Sequence, residues 1–307
     1  MLLGDRAHFS RDHYEARSGL APSHLCELVV HCLEVVGQLA HRGLDFRFKG
    51  GNSLLVLLSD PQRFSIDVDI VTTESKERLH ELVEAIVTEC PPFTRWEARS
   101  PRTKPWLPMI SFKLHFDSVY RPEEDAYVML DCVLEPAPYP GERRVVRCGD
   151  IYRSEVEVEV PSVSGLIGDK LLTLGPATLG IPLGKNKEAH RLKHVFDLSL
   201  LSRQGYDPVA VRASVDGCMA QENRIQGSDH GFDAVMEDTI LFLRAPLDHA
   251  EPPPLSEIAE GSYLYETVKG FEDFRQHLFR VDYRWPMFQD DCRRVLQILT
   301  QLRDPRN

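Results

Sequence analysis

Two aspartates alternate with apolar residues in the segment IDVDIV at positions 66–71. This alternation predicts a β-strand with one buried face, and it directs Asp67 and Asp69 to the opposite face. Their Cα atoms would be about 6.6 Å apart, and the two carboxylates would repel by about 3 kcal/mol at an effective dielectric constant of about 20. A divalent cation such as Mg²⁺, which prefers oxygen ligands, would relieve that repulsion. The alternative is a solvated edge strand whose polar face is acidic.

A double glycine precedes these aspartates and interrupts a short predicted strand at residues 46–48. After Gly50 and Gly51, Asn52 and Ser53 can begin a helix that carries several leucines. A glycine turn that leads into a helix offers main-chain N–H groups and a positive dipole end, which suit phosphate. The hydroxyl of Ser53 can add a contact. The alternative is an ordinary glycine turn with an Asn or Ser cap.

A third acidic residue lies in the segment AYVMLDCVL at positions 126–134, which predicts another strand. Asp131 needs a partner in this apolar setting, because an isolated buried charge is very costly. From the residues alone, that partner can be Lys113 or Arg147.

Taken together, these features resemble the signature of the polymerase-β-like nucleotidyltransferases, in which Gly-Gly or Gly-Ser is followed by Asp-x-Asp in a strand. More closely, KGGNSL at 49–54 and RFSIDVD at 63–69 resemble the AbiEii/AbiGii toxin family, which includes the MenT toxins. The usual family pattern is KGG[ST]AL followed by RFSxD[IL]DL. This chain differs in having Asn52, Val68 and Ile70, and the Asn52 difference leaves open whether Asn52 or Ser53 contacts phosphate.

The resemblance implies three functional residues farther along the chain. Asp131 would be a third carboxylate that joins Asp67 and Asp69 at a common cation. Lys170 lies in DKL at 169–171, where the family has EKL, and it would balance the charge of a triphosphate; the alternative is an exposed helical lysine. Asp197 lies in KHVFDL at 193–198, where the family has an acid after Arg-Asp. It would orient the lysine or a substrate group, or it would form an i,i+4 pair with Lys193.

The activity that the resemblance implies is Mg²⁺-dependent transfer of a nucleoside monophosphate from an NTP to an RNA acceptor, such as the 3′ end of a tRNA. The protein would be a toxin of a type IV-like system with a cognate antitoxin. The implied catalytic residues are Asp67, Asp69, Asp131, Lys170 and Asp197. The three aspartates Asp67, Asp69 and Asp131 would hold two Mg²⁺ ions. The nucleotide would be bound by Gly50, Gly51, Asn52, Ser53, Arg63, Ser65 and Lys170.

Two other functions remain open from the residues alone. The acceptor could be a small molecule or a protein side chain, or the chain could be a nucleotide-binding module without turnover. The net charge of −11 argues against indiscriminate nucleic-acid binding, although local basic tracks are possible. One candidate track comprises Lys185, Lys187, Arg191, Lys193 and His194. Another comprises Arg95, Arg99, Arg102 and Lys104, next to Trp106.

The sequence predicts a cytoplasmic protein with reduced thiols and an α+β fold. Seven scattered cysteines show no metal-binding spacing, and the aliphatic run at 54–58 is too short to cross a membrane. Strand patterns end with EVEVEV at 155–160, and helical patterns follow. This order suits an α+β domain followed by a helical domain, and the family resemblance implies that residues 1–160, including an N-terminal arm and helix, form a polymerase-β-like mixed sheet with flanking helices. A helical domain over residues 161–307 would complete the active-site cleft.

Overall fold

The computed structural model describes residues 1–99, 107–123 and 125–303. Within these ranges the protein has a seven-stranded mixed sheet and ten α-helices. The predicted α+β class is therefore confirmed. Arg102, Lys104 and Trp106, which belong to the second candidate basic track, lie outside the described residues.

The chain divides into two compact units. The first unit comprises Met1–Ala137, Gly141–Pro161 and His277–Val281, and the second comprises Pro138–Pro140, Ser162–Gln276 and Asp282–Asn307. The main boundary between the units lies between Pro161 and Ser162, and the short segments 138–140 and 277–281 each belong to the unit on the other side of it. The expected division into domains 1–160 and 161–307 stays a prediction.

All strands of the sheet belong to the first unit, and they follow the spatial order β3-β4-β5-β2-β1-β7-β6. The strands are β1 Arg47–Lys49, β2 Asp67–Val71, β3 Phe93–Arg99, β4 Met109–Phe116, β5 Tyr127–Val133, β6 Gly141–Cys148 and β7 Tyr152–Pro161. The pairs β2–β5 and β1–β7 are parallel, and the other neighbouring strands are antiparallel. The alternation predicted at 66–71 thus forms β2, near the centre of the sheet.

Four helices belong to the first unit and six to the second. The helices of the first unit are α1 Arg11–Arg17, α2 Ser23–His41, α3 Gly50–Leu57 and α4 Lys76–Glu89. Those of the second are α5 Val163–Leu171, α6 Glu188–Ser202, α7 Pro208–Gln226, α8 Phe232–Arg244, α9 Tyr263–Arg275 and α10 Trp285–Arg303. None of the described helices combines the length and the apolar character that crossing a membrane requires.

The apolar face of β2 forms part of the main hydrophobic core. Val68 and Ile70 are fully buried, and they belong to the same cluster as Val29, Leu33 and Val36 of α2. Successive side chains of a strand point to opposite faces. Burial of Val68 and Ile70 against this core therefore directs Asp67 and Asp69 to the other face of the sheet.

The loop that precedes β2 is held by a segment from far along the chain. The N–H of Phe64 donates to the carbonyl of His277 at 2.8 Å, and the N–H of Phe279 donates to the carbonyl of Gln62 at 3.1 Å. The rings of Phe64 and Phe279 are stacked, with centroids 4.2 Å apart. Apolar spacing over residues 255–279 predicts one helix. The structure instead has a short 3-10 helix at Leu255–Glu257 and α9 at Tyr263–Arg275, and the residues that follow α9 pair with this loop.

Candidate active site

Three aspartates share one face of the sheet across the parallel pair β2–β5. The register pairs Asp67 with Met129 and Asp69 with Asp131. Neighbouring strands are about 4.8 Å apart, and register partners point to the same face. All three aspartates are half-buried. The structure therefore brings Asp67, Asp69 and Asp131 together as the sequence predicted, while their roles as metal ligands stay a prediction.

Neither ion pair considered for Asp131 is present. Lys113 is the register partner of Met129, and its ammonium lies 4.0 Å from the centroid of the Tyr127 ring. Arg147 lies on β6, which three other strands separate from β5. Among the residues that the structure describes, no ion pair reaches the carboxylate of Asp131. Asp131 therefore faces the second acid, Asp69, without a described ion pair of its own.

The glycine turn lies directly against this charge. Gly50 has a φ of +73°, and a Cβ built on it would overlap Oδ2 of Asp69 and lie 2.8 Å from its Cγ. A Cβ on Gly51 would lie 2.5 Å from Oγ of Ser65 and 2.7 Å from Nη2 of Arg63. Each glycine therefore permits a close approach by a residue of the second motif. The two motifs form one site in which the start of α3 lies beside Asp69.

Two buried polar residues fix the turn. Asn52 and Ser53 are both fully buried. The amide of Asn52 donates to the carbonyl of Asp67 at 2.8 Å, and the hydroxyl of Ser53 donates to the carbonyl of Gly50 at 2.9 Å. These hydrogen bonds join the turn to β2 and stabilise its first helical turn. Whether Asn52 or Ser53 contacts phosphate stays open, and both side chains already serve the turn itself.

Basic residues of the two motifs flank the aspartates. Lys49 is the register partner of Asp69 across the antiparallel pair β1–β2, and Arg63 is 6% exposed. Nη1 of Arg63 donates to the carbonyl of Phe64 at 3.1 Å. In the sequence, Lys49 is recognisable only as the first residue of the family motif. The strand register, which local sequence does not specify, is what identifies Lys49 as a neighbour of Asp69.

Lys170 and Asp197 form a buried ion pair in the second unit. Nζ of Lys170 on α5 donates to Oδ2 of Asp197 on α6 at 2.8 Å, and the two side chains are 1% and 0% exposed. The alternative of an exposed helical lysine is therefore wrong. The contact fits the expectation that Asp197 orients the lysine, and the functional roles of both residues stay predictions.

Lys170→Met is expected to lower the free energy of unfolding by about 3–5 kcal/mol, because it leaves the Asp197 carboxylate buried without its partner. Combining it with Asp197→Leu should recover most of that loss, since no buried charge then remains. Urea denaturation of the whole chain measures both effects. Equal stability of the single and double variants would contradict the importance of the pair.

One residue of the first candidate basic track, Arg191, does not lie at the surface. Arg191 is fully buried, and its guanidinium lies 3.8 Å from a carboxylate oxygen of Glu266 and over the ring of Phe242. Burial lowers the pKa of Arg191, and Glu266 opposes this effect. The expectation that Arg191 forms part of a basic surface is wrong. The sequence alone does not show which of several neighbouring basic residues on a helix are buried.

A separate polar cluster lies on β3, β4 and the residues before β5. Glu97, His115 and Asp125 each bring one ligand atom within 4.8 Å of the others, so this group could hold a metal ion. Arg95 forms ion pairs with both carboxylates at 2.5 Å. Local charge compensation is therefore already provided here, in contrast to Asp131.

A glycine turn packed against paired aspartates at the centre of a mixed sheet is the arrangement that the resemblance to nucleotidyltransferases implies. A family model described as nucleotidyl transferase AbiEii toxin of type IV toxin–antitoxin systems matches residues 37–281. This match covers most of the 307 residues, and the chain belongs to that family. Membership confirms the resemblance and implies an NTP substrate and a cognate antitoxin.

The structure is similar to that of an antigenic nucleotidyltransferase-like protein from Paracoccidioides brasiliensis. The similarity covers 68% of this chain and 96% of that chain, with 13% sequence identity and a TM-score of 0.39. At that TM-score the similarity carries no argument about function. No curated protein matches the sequence.

Proposed function

We propose that this nucleotidyltransferase transfers a nucleoside monophosphate from an NTP to a hydroxyl of an RNA, such as the 3′ end of a tRNA, in a Mg²⁺-dependent reaction. One observation carries the proposal. Asp69 and Asp131 face each other across β2 and β5, and the turn at Gly50 lies against the Asp69 carboxylate. Carboxylates beside a helix start are suited to a metal-bound triphosphate.

The aspartates fit Mg²⁺ because they offer hard oxygen ligands on one face. Among the described residues the carboxylate of Asp131 has no ion pair that would compete with a cation. Asp67, Asp69 and Asp131 would hold up to two ions. When bound, Mg²⁺ lowers the pKa of an attacking hydroxyl and stabilises the charge of the leaving pyrophosphate.

The glycine turn supplies the phosphate site. The first N–H groups of α3 have no partner within the helix, and together with the helix dipole they favour anions. Asn52 and Ser53 hold the turn through main-chain hydrogen bonds, so we assign the phosphate contacts to main-chain N–H groups. Lys49, the register partner of Asp69, would add positive charge there. The family resemblance implies that Lys170 balances triphosphate charge, with Asp197 as the residue that orients it.

The chemistry of the step is a displacement at the α-phosphorus. The acceptor oxygen forms a bond to this phosphorus, and the bond to the oxygen that bridges the α- and β-phosphates breaks. Pyrophosphate leaves with that electron pair, while the hydroxyl proton passes to a carboxylate oxygen of the aspartate face and then to water. Positioning and charge stabilisation account for most of the rate increase in such reactions.

Incubation of the protein with each of the four α-³²P-labelled NTPs, Mg²⁺ and total tRNA tests the proposal. We expect label on the tRNA, release of pyrophosphate in equal amount, and loss of both when EDTA removes the metal. Periodate oxidation of the terminal diol of the tRNA should also prevent labelling. Label that appears only on a small molecule or on a protein would contradict an RNA acceptor, and nucleotide binding without pyrophosphate release would contradict turnover.

A further inference from the structure

A cavity of about 310 Å³ opens in the first unit beside Asp67. Apolar side chains on its lining include Leu28, Tyr127 and Met129. Its ionisable groups are the basic side chains of His24 and Arg121 and the carboxylates of Glu27, Asp67 and Asp125. Ligand pockets typically start at about 300 Å³ and combine an apolar surface with a few polar groups. None of the residues with an expected catalytic or nucleotide-binding role, apart from Asp67, lines this cavity.

The cavity and the glycine turn lie on opposite sides of β2. The turn follows β1, and it is tied to β2 through the hydrogen bond from Asn52 to the Asp67 carbonyl. The cavity is lined from β5, where Met129 is the register partner of Asp67 and Tyr127 lies two residues earlier on the same face. Strand β2 separates β1 from β5 in the sheet. The aspartates therefore lie between a phosphate site and a cavity.

Displacement at phosphorus requires that the attacking and leaving oxygens lie roughly in line, on opposite sides of the phosphorus. If the glycine turn holds the triphosphate, pyrophosphate leaves on the β1 side of Asp67 and Asp69. The attacking hydroxyl then approaches from the β5 side. The cavity beside Asp67 is on that side.

The lining is suited to a nucleoside. Tyr127 is 36% exposed, and any nucleic-acid base can stack on an exposed aromatic ring. Met129 and Leu28 are half-buried and widen the apolar surface. The chain carries a net charge of −11, so an RNA must find cationic groups locally, and the ammonium of Lys113 lies 4.0 Å from the centroid of the Tyr127 ring.

We propose that this cavity binds the 3′-terminal nucleoside of the RNA acceptor, with its base against Tyr127 and its terminal hydroxyl towards Asp67. The inference rests on the proposed function, and it adds the location of the acceptor and the residues that bind it.

The test uses three variants of the whole chain. Tyr127→Ala removes the ring, Tyr127→Phe keeps it, and Leu28→Trp narrows the cavity. Leu20→Trp, at a side chain that is 66% exposed, is the control for adding an indole elsewhere in the first unit. For each protein, the KM values for tRNA and for the NTP are measured separately. Binding of 5′-fluorescein-labelled tRNA is measured by anisotropy in EDTA, without turnover.

We expect Tyr127→Ala and Leu28→Trp to raise the tRNA KM and Kd by about five- to a hundredfold, which is the range for losing one stacked base. Tyr127→Phe and Leu20→Trp should resemble the wild type, and the NTP KM should change by less than about twofold in all four. A rise in the NTP KM instead, or unchanged tRNA affinity in both cavity variants, would overturn the assignment of the cavity and leave the RNA reaction intact. A wild-type protein that labels no RNA would overturn the proposed function as well.

Discussion

Asp131→Asn is expected to reduce nucleotide transfer by on the order of 10³-fold, because it removes a charged ligand from the aspartate face at the reacting phosphate. The same change should leave the free energy of unfolding in EDTA equal or higher. The reason is that it relieves the repulsion with Asp69, and no described ion pair is lost. A residue kept for function at the expense of stability would show this combination.

Three measurements check this prediction: pyrophosphate release, denaturant unfolding in EDTA, and the dependence of the melting temperature on Mg²⁺. The wild type should melt at a higher temperature as Mg²⁺ is added, and Asp131→Asn should respond much less. Asp45→Asn, at an exposed position just before β1, is the matched control and should behave like the wild type. If Asp131→Asn retained full transfer, or destabilised the protein in EDTA, Asp131 would be a structural residue.

Gly50→Ala is expected to lower transfer by about 10²-fold or more, since misplacement of reacting groups by about 1 Å has effects of this size. An alanine there must adopt a φ of +73° and accommodate a Cβ that overlaps the Asp69 carboxylate. The backbone conformation alone costs about 1–2 kcal/mol. The overlap adds displacement of Asp69 or of the turn.

Gly43→Ala separates these two effects. Gly43 has a φ of +76°, and a Cβ on it would meet nothing within 4 Å. It should therefore lose about 1–2 kcal/mol of stability through the same backbone conformation and keep its transfer activity. Unfolding curves and initial rates of both variants provide the comparison. Equal loss of activity in both would mean that general destabilisation, and not contact with Asp69, explains the Gly50 variant.

The sequence correctly predicted the elements of the site that depend on neighbouring residues, which are two strands and a glycine turn. Alternation at 66–71 is a property of neighbouring residues, and it correctly predicted a strand with Asp67 and Asp69 on one face. The glycines predicted a turn into a helix, which begins at Gly50. The apolar segment around Asp131 likewise predicted β5.

Contacts between segments that are far apart in the sequence were harder to predict. The family resemblance, and not the residues alone, associated Asp131 with β2, because strand register depends on pairing over long distances. The inward position of Arg191 and the pairing of residues 277–279 with the loop before β2 carry no local signal. The basic residues around Arg191 predicted an exposed position, and the apolar periodicity up to residue 279 predicted a helix. The structure contradicts both predictions.

Pairing between Gln62–Phe64 and His277–Phe279 has a consequence for synthesis of the protein on the ribosome. The loop that leads into the Asp67 strand receives its partner segment only after residue 279 has been made and has emerged. Residues 162–276, which belong to the second unit, lie between these two parts of the first unit in the sequence. A nascent chain therefore cannot complete the first unit, or any activity that depends on it, before residue 279 has emerged.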